Sequence, residues 1–164
     1  MKNRKWTQLI AFILVLVIIG IFLVPAITST IYVLSRGQRV YVPVYSHIYH
    51  GDKEKQFDLT ATLSIRNTNL KKDIILQSID YFDSNGNLLK RYLKTPMLLK
   101  KFSSIRYVIK STDSNGGSGA KFIVKWKSRE LVNSPLIEAI MISTDNQQGI
   151  SFVSRGQAIQ ELKR

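Results

Sequence analysis

The chain contains no cysteine and only two histidines. Without cysteine there are no disulfides, no thiolate metal sites, no cysteine nucleophile and no lipid attached through a thiol. An oxidising compartment stays open to it, because a core of this size can hold without covalent staples. Acidic residues are scarce, 11 Asp and Glu against 24 Lys and Arg, which leaves a net charge of +13. There is no internal repeat, no low-complexity linker and no long amphipathic helical pattern. Charge itself is missing from one place: none occurs from Trp6 to Ser35, a run of 30 residues.

That run is the first feature present rather than absent. Leu9 to Val24 is apolar throughout except for Gly20. A helix over residues 7–24 would be about 27 Å long, close to the ~30 Å hydrocarbon core of a bilayer. Lys2, Arg4 and Lys5 precede it, which predicts a cytoplasmic N-terminus, and Trp6 suits the headgroup boundary. Residues 1–35 therefore read as a single-pass membrane anchor, contacting lipid through residues 7–24, with residues 36–164 outside the cytoplasm. The alternative is a cleavable signal peptide cut after Thr28 or Thr30, although the apolar run exceeds the usual ~7–15-residue hydrophobic region. At 164 residues the chain holds one domain plus this short element.

From Val40 onward the hydrophobic period becomes two. In "FDLTATLSIR", Phe57, Leu59, Ala61, Leu63 and Ile65 share one face, with Asp58, Thr60, Thr62, Ser64 and Arg66 on the other. "SSIRYVIK" and "KFIVKWK" repeat the pattern, turning Ile105, Tyr107, Ile109, Phe122, Val124 and Trp126 inward. "DSNG", Asp83 to Gly86, predicts a hairpin turn. "STDSNGGSG" predicts a flexible loop, and "LIEAIMI" fits a central strand better than a short helix. Seven or eight antiparallel strands follow, an all-β immunoglobulin-like sandwich joined to the anchor only by "SRGQR".

Several stretches taken together, "VYVPVYSHIYHG", "LSIRNT", "SIDYFDSNG", "GGSGAKFIVKW", "IEAIMI" and "QGISFVSRGQ", resemble a bacterial family known only as a domain of unknown function, number 3124. The resemblance runs from Gly37 to about Ile159. It implies an extracytoplasmic domain and brings no activity, cofactor or catalytic residue with it.

Candidate sites are few. His47 and His50 lie three apart and point to opposite faces of a strand. With Asp52 they could share a metal only across a bend, and a catalytic zinc usually needs three protein ligands. The competing reading has Tyr41, Tyr45 and Tyr49 packing along the sheet while the histidines cap its turn. Gly116, Gly117, Ser118 and Gly119 lack both the closing residue of a nucleophile elbow and the Gly-Lys-Ser/Thr ending of a phosphate loop. Backbone N–H groups of that loop could still cradle a small anion. Arg155 could clamp a ligand or pair with Asp80. Ser46–Asp52, Asn115–Gly119 and Gln147–Ser151 are richer in polar residues and glycine than strands and turns require. Two of them are expected to meet at one end of the sandwich, with His47 or His50 facing the glycine loop.

Beyond Lys2, Arg4 and Lys5, the outward part carries 21 basic residues against 11 acidic ones, densest in "KRYLK", Lys100–Lys101 and "KWKSR". Nucleic acid binding would need exposed stacking aromatics on the same face, whereas Trp126 and Tyr107 turn inward. The expected anions are lipid headgroups, envelope polymers or an acidic protein. No catalytic motif and no cofactor signature is found. The sequence thus reads as a binding or interaction module of the cell envelope. The rivals are a metal-binding or hydrolytic protein using His47 and His50, and a structural subunit of a membrane complex.

Overall fold

The computed structural model describes Trp6 and residues 34–144 and 149–162. The chain divides into two units, Met1–Ile31 and Tyr32–Arg164. The expected membrane helix over residues 7–24 and the alternative cleavage points lie outside the described residues. Among the described residues no helix is long and apolar enough to cross a membrane.

The second unit is all-β and antiparallel. Its strands are β1 (Leu34–Val44), β2 (His47–His50), β3 (Lys55–Asp58), β4 (Thr60–Arg66), β5 (Ile74–Phe82) and β6 (Leu88–Arg91), followed by β7 (Met97–Leu99), β8 (Ser104–Ile109), β9 (Ala120–Asn133), β10 (Leu136–Ser143), β11 (Ile150–Arg155) and β12 (Gln157–Glu161). One sheet has six strands, β12-β1-β9-β5-β6 with β7 also on β5; a second has the order β11-β10-β4-β8; β2 and β3 form a separate ribbon.

Twelve strands among the described residues exceed the seven or eight expected, because bends divide segments that read as continuous. "YVPVYSHIYH" breaks after Val44, and its second half pairs only with β3. The stretch from Ile150 to Glu161 breaks at Gly156, whose N–H donates to Ile137 O at 2.8 Å. Beyond that corner the chain leaves β10 and joins β1 in the other sheet. The domain also begins earlier than expected: Leu34 and Ser35 already pair with Asn133 and Val132, and "SRGQR" is strand rather than joint.

The period-two pattern decides what is buried. Leu59, Leu63, Ile65, Phe122, Val124 and Trp126 are fully buried in one core with Ala139 and Met141 of β10. Thr60, Thr62 and Lys125, expected to be exposed, are half-buried, since β4 and β9 are interior strands whose outward side chains are shaded by neighbours on both sides. "LIEAIMIS" is the strand between β4 and β11. "DSNG" closes the β5–β6 hairpin, with Asp83 N–H donating to Asn87 O and Gly86 at φ +88°.

Candidate functional site

The histidines are engaged locally. His47 is buried; its Nδ1 lies 3.4 Å from Ser46 Oγ and its Nε2 3.1 Å from the Tyr49 hydroxyl. Its ring also meets Tyr49 edge-on at 5.2 Å, and His50 meets Phe57 edge-on at 5.9 Å. Asp52 is exposed in the β2–β3 turn, which closes with Glu54 N–H donating to Gly51 O at 3.0 Å. Among the described residues no three His, Cys, Asp or Glu side chains gather in a way that could hold a metal ion.

Two of the three polar stretches meet. Ser46 N–H donates to Gly117 O at 3.2 Å, and its hydroxyl lies 3.1 Å from the same oxygen. The contact runs through Ser46, whereas the His47 ring turns to Tyr49. The glycine loop is fastened on its other side by Ser84, which donates to Gly116 O at 3.1 Å and accepts from Gly119 N–H at 2.9 Å. Ser118 lies in the same turn and is half-buried. Gln147 lies outside the described residues.

Beneath this loop sits the Tyr81 hydroxyl, buried and without a hydrogen-bond partner among the described residues. A Cβ on Gly116 would fall 1.9 Å from it, so only glycine fits over the ring. Burial, then Asp113 and Tyr92, push the Tyr81 phenol well above its ordinary value. Desolvation also raises Tyr92 and Tyr107. These phenols are packing groups held neutral.

Arg155 is exposed and does not pair with Asp80, which corrects the sequence expectation. Asp80 lies in the other sheet, 3.9 Å from Arg91. Arg155 stands opposite Glu138, whose carboxylate lies 3.8 Å from Arg66. Three ion pairs form among the described residues, using Arg66, Lys72 and Arg91, so most of the basic excess is left without a carboxylate partner.

Part of that excess converges on the outer face of the six-stranded sheet. A groove of about 540 Å³ is lined by Arg36, Gln77, Lys125, Lys127, Ser128 and Arg129. Bulges build it. Gly37 pairs with Lys127 but Ser35 with Val132, so Arg36 alone spans a four-residue excursion of β9. On the other flank Leu76 pairs with Trp126 and Ser78 with Lys125, leaving Gln77 as the extra residue of β5. Bulges re-aim side chains and strengthen local twist. Here two of them, at one level on either side of β9, bring Arg36 and Gln77 toward its outward cations. "KWKSR" was legible as a basic cluster; Arg36 and Gln77 carried no signal, because only the register joins them to it.

No curated protein matches this chain. Among solved structures, that of Thermotoga maritima 1070 is similar at 8% identity and a TM-score of 0.45, covering 78% of this chain and 97% of that one. The model of the family described as "Protein of unknown function (DUF3124)" matches residues 37–159, and the chain belongs to that family.

Proposed function

We propose that this chain is a membrane-anchored, extracytoplasmic module of the bacterial envelope that binds an anionic partner on the outer face of its six-stranded sheet. The observation that carries this reading is the groove: two arginines and two lysines line it and no acidic side chain does. Clustered cations in a concave site focus the local field and draw anions. The anchor rests on the uncharged run that ends at Ser35 and on the basic residues before it.

The domain's architecture in this proposal is immunoglobulin-like. Its support is the pairing of β4 with β8 and of β5 with β9, which corresponds to strands B with E and C with F of that fold. The outer positions are exchanged: β1 lies beside β9 and β10 lies beside β4. Such sandwiches serve widely as rigid frames for binding surfaces.

Two measurements test the proposal. Protease added to spheroplasts is expected to digest the β-domain and leave the extreme N-terminus protected. Survival of the domain until lysis overturns the orientation, and a mature chain beginning at Ser29 or Ile31 replaces the anchor with a signal peptide. Purified full-length chain is expected to bind inorganic polyphosphate in a salt-dependent manner, and Lys127→Gln/Arg129→Gln to weaken that binding. Equal binding by the variant removes the groove from the function.

A further inference from the structure

We infer that the groove holds the phosphate of an anionic phospholipid headgroup, an inference that rests on the membrane-anchored reading above. Arg36 and Arg129 can each present a planar fork to phosphate oxygens, and Lys125 and Lys127 add point charges. The Gln77 amide and the Ser128 hydroxyl add neutral hydrogen-bonding groups of the kind that suit the hydroxyls of a polyol headgroup. The volume of about 540 Å³ falls within the roughly 300–1,000 Å³ typical of small-ligand sites.

The nearby carboxylates are already committed. Glu130 bonds Lys72 at 2.7 Å, and Asp73 accepts the Lys101 N–H at 2.7 Å. Glu161 accepts from the Ser35 hydroxyl at 2.6 Å and from the Gln38 amide. Among the described residues none of these carboxylates forms an ion pair with Arg36, Lys125, Lys127 or Arg129.

The length of chain ahead of β1 favours a lipid over a free polyanion. Arg36 is the third residue of β1, which begins at Leu34. If the span ends at Val24, residues 25–33 separate it from that strand. Fully extended at ~3.3–3.6 Å per residue, they reach about 30 Å at most. That length leaves the Arg36 end of β1 able to reach the headgroup layer. Anionic surfaces attract Lys and Arg within about a Debye length of it.

The test uses full-length chain purified in an uncharged detergent. Native mass spectrometry compares retention of phosphatidylglycerol, phosphatidylcholine of the same acyl chains, and glycerol phosphate. The expected result is one retained phosphatidylglycerol and little phosphatidylcholine. Lys125→Gln/Lys127→Gln/Arg129→Gln should weaken that retention at least ~10-fold. A control with the same charge change, Lys53→Gln/Lys55→Gln/Lys94→Gln, should retain it. A photoactivatable phosphatidylglycerol on the unaltered chain should crosslink to β1 and β9 near Arg36 and Arg129, which keeps the inference testable if the triple variant does not fold. Equal retention of both lipids, an unaffected triple variant, or crosslinks elsewhere overturns the inference. Binding of polyphosphate or glycerol phosphate without phosphatidylglycerol retention leaves the anion-binding reading standing and removes the lipid. Binding of none of these removes both.

Discussion

Gly37 lies so close to Trp126 that a Cβ on the glycine would sit 2.6 Å from the tryptophan's carbonyl oxygen. The same Cβ would stand 3.1 Å from the Lys127 Cα, so backbone rather than a pliable side chain blocks it. The Gly37 N–H donates to Ser35 Oγ at 3.0 Å, inside the bulge that carries Arg36. Gly37→Ala should therefore separate β1 from β9 and cost about 1–3 kcal/mol. It should also weaken anion binding at the groove. Thermal unfolding reads the first effect; a loss below ~0.5 kcal/mol would mean that the strands separate freely.

Trp126 is fully buried between the sheets, and its indole N–H has no partner among the described residues. Its contribution is thus packing. Trp126→Ala should destabilise the domain by about 3–5 kcal/mol, measured by denaturant unfolding. A loss under ~1 kcal/mol would place the ring outside the core.

Tyr81→Phe removes a buried hydroxyl that makes no hydrogen bond among the described residues. Deleting an unsatisfied polar group should be neutral or stabilising by up to about 1 kcal/mol. The folded-state pKa is raised above the unfolded value near 10, chiefly by burial. Its contribution is therefore whole below about pH 10 and declines as pH rises above it. The Phe variant should lose less stability than the parent above that pH. Equal or greater alkaline loss in the variant would show that burial does not raise the Tyr81 phenol above its unfolded value.

The Asp83 carboxylate sits below the usual range, held first by the Asn87 side chain and then by the Asn87 backbone N–H. The N–H bond is 2.7 Å long and the side-chain bond 2.9 Å. A depressed folded pKa gives stability that is present above the unfolded value near 3.9 and lost as pH falls through the folded one. The β5–β6 turn should loosen below about pH 4. Hydrogen exchange at the Asn87 amide should accelerate there relative to that of Val124, and Asp83→Asn should abolish that pH dependence. Unchanged acid dependence in the variant would assign the effect elsewhere.

The strands were legible where burial alternates. Leu59, Leu63, Trp126 and Val124 could be assigned to one face from spacing alone, because a strand's side chains alternate and one face of each sheet excludes water. The Asp83–Gly86 turn was legible for a similarly local reason: its glycine must adopt positive φ and its aspartate bonds its own turn. The break at Gly156 and the separate β2–β3 ribbon were not legible, because what stops a strand there is the position of other strands.

The sequence by itself determined the β-class, the inward face of each long strand, the excess of positive charge and the uncharged run before the domain. All of these follow from local spacing and composition, which tertiary contacts do not alter. Only the tertiary structure decided that Arg155 and Asp80 belong to different sheets, and that Ser46 rather than a histidine touches the glycine loop. It alone brought Arg36 and Gln77 to the cations of β9. The reason is register. Arg36 lies about 90 residues from Lys127 along the chain, and their proximity is fixed by backbone pairing and bulges that shift every later side chain.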